Sequence, residues 1–357
     1  MQNIIHVIPR LGNGGAEKLI LATAPHYIRQ NINIKIICLT DESEISHQLR
    51  SKNIKVESIF GKGRMFDASS IKKLYEILKK ENPDIIISHL LMANFFSFIV
   101  TLLLGIKHIP MMHNLNVENS VFDNCLNFII KLFSFRVLCV SNAVKDYEDA
   151  FCPRLIKNKT RVLYNAIDSS FFLKSINNKN FTQKNNEFNF ICSGRLVSQK
   201  RHKDLIKAFS KSKFLNQSKL TILGDGPLYD DLEKLIKDLN ISKRCALKGH
   251  VNNVAEYLDN ADAFIYPSER EGNPLALIEA LARNLPVILS DIDCHLELFS
   301  KEKNIFFKTG NVVSLRDKID EFCKDNVAYF ENNSMSDEDL ISFRPEKYVT
   351  NMLEAIK

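Results

Sequence analysis

Residues 263–283 have the sequence AFIYPSEREGNPLALIEALAR, in which a polar loop separates two apolar runs. The first run predicts a buried strand over Ala263–Pro267, because short apolar runs bounded by turn residues are typical of strands covered on both faces. Asn273 is a favourable N-cap and Pro274 a favourable first helical residue, so a helix is predicted to begin at Pro274. This stretch therefore predicts a strand, a loop and a helix, the repeating unit of a parallel α/β sheet.

The same alternation extends over the whole chain. Short runs rich in Ile, Val and Leu recur with helix-length segments between them, which predicts parallel sheets joined by right-handed crossovers. The predicted strands are Asn3–Pro9, Asn33–Thr40, Lys55–Phe60, Asp84–Ser88, His108–His113, Arg136–Ser141, Arg161–Ile167, Asn189–Arg195, Lys219–Gly224, Cys245–Gly249, Ala263–Pro267, Pro286–Asp291 and Ile305–Lys308.

A chain of 357 residues exceeds one ordinary core, so two domains are expected. The segment Lys174–Glu187 is rich in Asn and Lys and poor in apolar residues, which is typical of a linker. We predict two doubly wound Rossmann-like domains over residues 1–168 and 189–342, a linker over 169–188, and a C-terminal helix over 343–357 that crosses back to the first domain. Ligands of such sheets bind beyond the carboxyl ends of the strands, so a deep cleft between the domains is expected.

Composition narrows the class of protein. The chain is 45% hydrophobic and 25% charged, as in ordinary soluble proteins, and Met1–Pro9 predicts a strand where a signal peptide would lie. Eight cysteines are scattered without a C-x-x-C pair, which favours reduced thiols in the cytoplasm over disulfides or a zinc site. Neither the composition nor any motif indicates nucleic-acid binding.

The net charge of +6 resides in the first half. Residues 1–170 hold 21 Lys and Arg against 15 Asp and Glu, a difference of six. The run Leu90–Ile106 is nearly all apolar, but it is shorter than the ~20 residues of a membrane span. A basic half with apolar helices suggests contact with an anionic membrane surface or a lipid phosphate; uneven composition is the alternative.

Charged residues of the second half suit one phosphorylated ligand. Arg195 and Lys200 follow a predicted strand, and two cations at such a junction can neutralise a diphosphate. A helix beginning at Pro274 directs free N–H groups and about half a positive charge toward the same region. Glu271 and Glu279 offer acceptors for the hydroxyls of a sugar ring and a ribose.

Two further strand ends are weaker indications of the same ligand site. Gly224-Asp225-Gly226-Pro227 is a turn sequence between a strand and a helix. Gly249-His250-Val251 ends the next strand, where its backbone could border a nucleobase; an ordinary strand-end histidine is the alternative. In the first half, Gly14 and Gly15 follow the first strand and permit close approach of a ligand.

Other residues of these loops bear on whether the ligand is a dinucleotide or a metal ion. Glu17 stands where a dinucleotide fingerprint requires its third glycine, which disfavours a dehydrogenase. His113 ends a predicted strand and is a candidate for the same ligand site. Asp291 and Asp293 look like a metal-binding D-x-D, but they end a strand after the glutamates and are predicted to form a loop. Residues 294–297 include Cys, His and Glu at a spacing that matches no standard metal site.

Taken in order, these motifs resemble those of the retaining GT-B glycosyltransferases of family 4, also called group 1. The resemblance covers essentially the whole chain and is strongest over residues 190–291. It implies that Glu279 holds the ribose, that Glu271 contacts the donor sugar, and that His113 lies near the reacting carbon. It also implies that the donor site is formed by Gly14, Gly15, Arg195, Lys200, Gly224, His250, Val251, Gly272, Asn273, Pro274, Leu275 and Glu279, with His113 and Glu271 as the catalytic residues.

The resemblance also implies a reaction. A hexose or N-acetylhexosamine would move from a nucleotide-diphosphate sugar, with UDP favoured, to a lipid-linked saccharide in bacterial surface polysaccharide synthesis. Neither a metal nor another cofactor is expected, and the enzyme would be cytoplasmic and peripheral at the inner face of the membrane. A nucleotide-sugar epimerase of the same fold and a non-catalytic partner subunit are the alternatives. The sequence departs from the family after Asp291, where Gly-Gly is common.

Overall fold

The computed structural model of this chain describes residues 2–12, 14–40, 43–59, 68–115, 120–150, 156, 158–172, 187–299, 304–327, 329 and 335–357. Two compact units are present, and the chain passes between them twice. Unit 1 comprises Met1–Ser169 and Ser342–Lys357, and unit 2 comprises Ser170–Ile341.

Unit 1 is built on a seven-stranded sheet with the order β3-β2-β1-β4-β5-β6-β7, in which every paired strand is parallel. Alternate residues of the first strand enter different cores: Ile4 and Ile8 pack on one face, and Ile5 and Val7 pack on the other. The strands are β1 (Asn3–Ile8), β2 (Asn33–Cys38), β3 (Lys55–Ser58), β4 (Ile85–His89), β5 (Lys107–Met112), β6 (Val137–Cys139) and β7 (Thr160–Val162).

The helices of unit 1 include the end of the chain. The last helix packs against the first helix. Its Tyr348, Val349 and Met352 belong to the same core as Ile4 and Ile8 of β1. The C-terminal helix therefore does return to the first unit, as predicted. The helices are α1 (Gly15–Arg29), α2 (Glu44–Ser51), α3 (Ala68–Glu81), α4 (Leu90–Leu104), α5 (Val121–Phe133), α6 (Asn142–Ala150) and, from the chain end, α14 (Pro345–Ala355).

Unit 2 has a six-stranded parallel sheet with the order β10-β9-β8-β11-β12-β13. Its strands are β8 (Phe188–Ser193), β9 (Ser218–Leu223), β10 (Cys245–Leu247), β11 (Ala263–Tyr266), β12 (Val287–Ser290) and β13 (Phe306–Phe307). Its helices are α7 (His202–Ser210), α8 (Tyr229–Asp238), α9 (Val254–Asp259), α10 (Leu275–Ala282), α11 (Asp293–Leu298), α12 (Val312–Lys324) and α13 (Asp337–Ile341).

Every predicted strand is present, although the ends differ by a few residues. The predicted start of one helix was wrong. Helix α10 begins at Leu275, and Pro274 is its N-cap because the proline backbone is extended, with φ −75° and ψ 118°. Some predicted features lie outside the described residues. They are Phe60 at the end of a predicted strand, Asn13 next to Gly14, and residues 174–186 of the predicted linker.

Candidate functional site

The strand order of unit 2 determines which loops meet. The chain adds strands toward one side of the sheet from β8 to β10 and toward the other side from β11 to β13. The order therefore reverses between β8 and β11, which are parallel, hydrogen-bonded neighbours. The loop after β8 carries Arg195 and Lys200, and the loop after β11 carries Glu271. In open α/β sheets, ligands bind at this switch point beyond the carboxyl ends of the strands. The predicted cations and the first glutamate therefore arise from the two strands that flank that crevice.

The two loops are joined by a largely buried ion pair, in which the Lys200 side chain is 17% exposed and the Glu271 side chain is 9% exposed. Lys200 Nζ lies 2.5 Å from Glu271 Oε1 and donates to the Tyr266 hydroxyl at 2.6 Å. Burial lowers the pKa of Lys200, but the nearby Tyr266 oxygen and Glu271 carboxylate outweigh this effect, so the pKa lies above its ordinary value. Lys200 is therefore a permanent cation at this edge of the sheet.

Tyr266 is a member of this cluster that the sequence reasoning missed. It is the last residue of β11, and its fully buried hydroxyl accepts the hydrogen bond from Lys200. Burial raises the pKa of this phenol, so it stays neutral. Its place directly before the Pro-Ser of the polar loop was the available signal.

Main-chain contacts fix the geometry of this pair of loops. The Glu269 N–H donates to the Gln199 carbonyl at 2.9 Å, and the Gln199 side chain donates to the Arg270 carbonyl at 2.6 Å. Arg201 Nε donates to the Glu269 carboxylate at 3.0 Å. These contacts hold the residues on either side of Lys200 against the two residues that precede Glu271, so the juxtaposition of Lys200 and Glu271 does not depend on the ion pair alone.

The beginning of α10 buries three polar side chains. Glu271 and Glu279 are each 7% exposed, and Asn273 is 4% exposed. Glu279 lies in the second turn of α10, on the same end of the unit as the Lys200 loop. Carboxylates are costly to bury unless hydrogen-bonding or charged groups compensate them. The residues around the start of α10 thus include two buried carboxylates, of which Glu271 is paired with Lys200.

Three glycine-containing loops stack at this edge. Gly224 N–H donates to the Gly249 carbonyl at 2.8 Å, and Leu196 N–H donates to the Asp225 carbonyl at 2.9 Å. The loop after β9 thus packs directly against the loops after β8 and β10. Gly224 has φ +134°, where residues with a side chain are rare. This packing requires a glycine at position 224. The Gly224-Asp225-Gly226-Pro227 motif is therefore explained without a ligand.

The remaining predicted donor-site residues of unit 2 differ in exposure. Arg195 and His250 are exposed, and Val251 is half-buried. Arg195 lies in the same loop as Lys200, so an exposed cation and a half-buried cation are five positions apart. Gly272 and Pro274 are buried on either side of Asn273, and Leu275 is half-buried at the first position of α10. Their predicted roles toward a donor stay predictions.

In unit 1, His113 directly follows β5 and belongs to a group of histidines. Its Nε2 lies 2.9 Å from His89 Nδ1, and His89 Nε2 lies 2.9 Å from His6 Nδ1. Burial lowers the pKa of His113 to about 4, so the imidazole is neutral at pH 7. His89 and His6 were missed because each ends or occupies a strand that looks entirely structural in sequence.

The first turn of α1 contains an acid, Glu17, close to the glycines at the start of the helix. Gly14 is the N-cap of α1, and the Glu17 carboxylate lies so close that a Cβ on Gly14 would stand 2.5 Å from Glu17 Oε2. Burial raises the pKa of Glu17, while backbone N–H groups of Glu17 and Gly12 and the charge of Arg10 lower it. The Glu17 carboxylate thus lies beside the glycines that were predicted to form part of the donor site.

The predicted loop at the D-x-D sequence is partly helical. Asp291 follows β12 and accepts hydrogen bonds from the Thr309 N–H at 2.7 Å and its hydroxyl at 2.6 Å, whereas Asp293 begins α11. His295 of this helix is fully buried against Tyr266, and its Nδ1 lies 3.0 Å from the Ser290 carbonyl oxygen. Within the described ranges, no three His, Cys, Asp or Glu side chains cluster as metal ligands do.

The fold matches solved glycosyltransferase structures over its full length. The structure of HepE from Anabaena in complex with UDP and glucose covers 100% of this chain, and this chain covers 99% of it. The TM-score is 0.84 at 18% sequence identity, which establishes the fold. Two parallel Rossmann-like sheets of this kind define the GT-B architecture, and the fold predicted from the sequence is confirmed.

The chain belongs to the family 4, group 1 glycosyltransferases. Residues 13–171 match the model of Glycosyltransferase Family 4, and residues 174–337 match the model of Glycosyl transferases group 1. It is an enzyme that uses a nucleotide-sugar donor. Arg195, Lys200 and both glutamates fall within the group 1 match, and His89 and His113 fall within the family 4 match.

Two curated relatives show the kinds of reaction that similar proteins carry out. One is the capsular polysaccharide biosynthesis glycosyltransferase CapH of Staphylococcus aureus, 28% identical over 87% of this chain and 86% of the relative. The other is the N-acetylgalactosamine-N,N'-diacetylbacillosaminyl-diphospho-undecaprenol 4-alpha-N-acetylgalactosaminyltransferase of Campylobacter jejuni, 30% identical over 82% of this chain and 81% of the relative. The first of these relatives acts in capsular polysaccharide biosynthesis, and the second is named for a saccharide linked to undecaprenol diphosphate.

Proposed function

We propose that this enzyme transfers a hexose or an N-acetylhexosamine from a UDP-sugar to a lipid-linked saccharide with retention of anomeric configuration. The observation that carries the proposal is the buried Lys200–Glu271 pair beside Tyr266 at the switch point of unit 2. It combines a cation for a departing diphosphate with a carboxylate for sugar hydroxyls. The UDP of the HepE complex and the alpha linkage in the Campylobacter enzyme's name support the donor and the stereochemistry.

The proposed reaction breaks one bond and forms another at the anomeric carbon. The bond from that carbon to the diphosphate oxygen breaks, and both electrons leave with the diphosphate. Lys200, Arg195 and the free N–H groups at the start of α10 stabilise the charge that develops there. The acceptor hydroxyl then bonds to the same face of the carbon, and its proton moves to the departing phosphate oxygen. In this scheme protein cations take the part that a metal ion could play, and Glu279 holds the ribose.

The donor site can be tested by ligand-dependent stability in a buffer that contains a metal chelator. We expect a UDP-sugar at 100 times its dissociation constant to stabilise the enzyme by about 2.7 kcal/mol. Glu279→Ala should weaken binding about 10- to 100-fold, because a buried carboxylate that accepts ribose hydroxyls contributes about 1.5–3 kcal/mol. Thermal unfolding with UDP-, GDP- and ADP-sugars and with NAD makes the measurement.

Glu233→Ala is the matched control, since Glu233 is an exposed charge on α8 of the same unit, paired with Lys237. It should bind the donor as the wild type does. Stabilisation by NAD alone would indicate a dehydrogenase, and donor binding without transfer to any acceptor would indicate the non-catalytic alternative. Interconversion of UDP-sugars without an acceptor would indicate the epimerase. Loss of UDP-sugar binding in the chelator would contradict metal independence.

We also propose that unit 1 contacts an anionic membrane through an apolar surface on α4 and α5. No helix in the described part of the chain has the length and apolar character to span a membrane. The α4–α5 surface is instead formed by exposed side chains at several points along the two helices. Its members are Leu102, Leu103, Phe122, Ile129 and Phe133, whose exposures reach 68% at Leu103 and 74% at Phe122.

Charge beside this surface favours a lipid partner. Lys107 Nζ lies 4.4 Å from the centre of the Phe135 ring, and the Arg136 guanidinium lies 5.1 Å from it. Both cations follow the carboxyl ends of the helices that carry the α4–α5 surface. Apolar side chains flanked by Lys and Arg suit the interface of a bilayer that contains anionic lipids. The undecaprenol in the Campylobacter enzyme's name supports an acceptor anchored in such a bilayer.

The double variant Leu103→Ser/Phe122→Ser is expected to bind vesicles at least about tenfold more weakly, because each buried apolar side chain contributes about 1.5–3 kcal/mol. Flotation with vesicles containing phosphatidylglycerol measures the effect. Val313→Ser/Ile341→Ser, which alters exposed apolar residues of unit 2, is the control and should float as the wild type does. If the wild type did not float, or if both double variants floated equally, the α4–α5 surface would not be the contact.

A further inference from the structure

The strand register of unit 1 brings three histidines to one face of its sheet. β1, β4 and β5 are neighbours at the centre of the sheet. His6 pairs with Ile87, and His89 lies two residues beyond Ile87. His89 pairs with Met111, and His113 lies two residues beyond Met111. Because side chains alternate between faces with a period of two, all three imidazoles lie on the same face and step diagonally toward the carboxyl edge.

The three rings form a continuous hydrogen-bonded chain. His113 Nε2 lies 2.9 Å from His89 Nδ1, and His89 Nε2 lies 2.9 Å from His6 Nδ1. Each neighbouring pair is stacked with ring centres 5.2 Å apart. His6 and His89 are buried, whereas His113 is half-buried at the edge of the sheet. We call these residues the histidine chain; only its outer member can meet a ligand.

The histidine chain has only two protonation patterns. Burial lowers the pKa of His6 to about 3 and that of His113 to about 4, and it lowers the pKa of His89 well below its usual range. All three rings are therefore neutral at pH 7, and each has one N–H and one acceptor nitrogen. His89 must donate to one neighbour and accept from the other. Consequently the proton positions on all three rings change together or not at all.

His6, at the inner end of the histidine chain, selects between the two protonation patterns. His6 Nε2 is buried and has no hydrogen-bond partner among the described residues. One pattern leaves an N–H there, and the other leaves a lone pair. Buried N–H groups without an acceptor are rarer than buried acceptors without a donor. The favoured pattern has protons on the three Nδ1 atoms, with His6 donating to His89 and His89 donating to His113.

We infer that His6 and His89 are positioning residues that hold His113 with its proton on Nδ1, so that His113 presents a hydrogen-bond donor and not a base. The ligand side of this inference rests on the proposed function, with His113 in the place near the reacting carbon of the donor sugar that was predicted for it from the sequence. There it would donate to a sugar oxygen. The proton scheme then requires the departing phosphate as base, because His113 has no lone pair to offer on its accessible side.

The tautomer can be measured without any substrate. Long-range proton–nitrogen NMR of enzyme with ¹⁵N-labelled histidine distinguishes Nδ1–H from Nε2–H for each of the nine histidines, and His113→Asn assigns the His113 signals. We expect His113 to carry its proton on Nδ1 in the wild type. A proton on Nε2 of His113 would overturn the inference, whether or not the enzyme proves to be a glycosyltransferase.

A matched pair of variants tests the part played by His89. Asparagine and leucine have similar size, but only the asparagine amide can replace Nδ1–H as a donor to His113. His89→Leu should shift the His113 proton to Nε2 and lower kcat about tenfold, corresponding to ~1.4 kcal/mol, with little change in KM. His89→Asn should keep the Nδ1 proton and most of the turnover.

Each remaining outcome decides the question. If His89→Leu and His89→Asn gave the same His113 tautomer, His89 would not set it. If they gave different tautomers but equal turnover, the positioning role in catalysis would be wrong. Should His89→Leu fail to fold, a His113 proton on Nε2 in His89→Asn would still contradict the inference. If no variant transferred sugar, the proposed function would fail while the tautomer result stood.

Discussion

Replacing Lys200 with methionine is expected to lower the free energy of unfolding by about 3–5 kcal/mol and kcat by about 10²- to 10³-fold. Methionine keeps the length of the side chain and removes its charge. Glu271 would then be left 7% exposed without its cation, which is the costly consequence of breaking a buried pair. Tyr266 would lose the donor to its hydroxyl in the same substitution.

The loss of turnover has a separate cause. Under the proposed reaction, Lys200 faces the diphosphate as negative charge develops on it, in a site where burial makes electrostatic interactions strong. Arg195 of the same loop is exposed, so screening by solvent makes it a poor substitute for the buried cation. We therefore expect Arg195→Ala to lower kcat less than Lys200→Met does.

The double variant Lys200→Met/Glu271→Gln separates the two effects. It removes both charges, so it should regain most of the stability that Lys200→Met loses, because replacing a whole buried ion pair is often nearly neutral. It should not regain turnover. Urea unfolding and steady-state kinetics of the three proteins make the comparison. Wild-type stability in Lys200→Met would contradict the structural part of the argument, and recovery of turnover in the double variant would contradict the catalytic part.

The strands were predictable because they are buried on both faces. Runs such as Ile85–Ser88 contain little but apolar residues, which leaves few alternatives to a central parallel strand. Helix boundaries depend on local backbone geometry, which composition does not determine. Pro274 suits the first helical turn by its fixed φ, yet its ψ of 118° places it before the helix.

Site residues were predictable where a motif contained them and not where the fold assembled them. Glu271, Glu279 and Lys200 stand in recognisable loops of strand-to-helix units. The pairing of Lys200 with Glu271, however, spans 71 positions and depends on β8 lying beside β11. His6 and His113 are joined through His89 only because the register of three strands aligns them. Such relations are properties of strand order and register, which no single stretch of sequence carries.

Gly224→Ala is expected to destabilise the enzyme by more than about 3 kcal/mol, which should shift most molecules toward the unfolded state in mild urea. A Cβ at this position would stand 2.0 Å from the Gly194 carbonyl oxygen and 2.9 Å from its carbon. The obstacle is backbone, so it cannot rotate away as a side chain would. The backbone at Gly224, with φ +134°, adds a further conformational cost of about 1–3 kcal/mol for any residue with a side chain.

Gly249→Ala is the comparison in which a positive-φ backbone gains a Cβ without a collision. Gly249 has φ +67°, and a Cβ there would meet nothing within 4 Å, although its carbonyl accepts the Gly224 N–H. We expect a loss of only about 1–2 kcal/mol from the left-handed backbone. Urea unfolding of both variants gives the difference, which reports the collision between the loops after β8 and β9. Equal losses would mean that these loops can separate without cost, and the position of Lys200 would then depend on the contacts between its loop and the loop after β11.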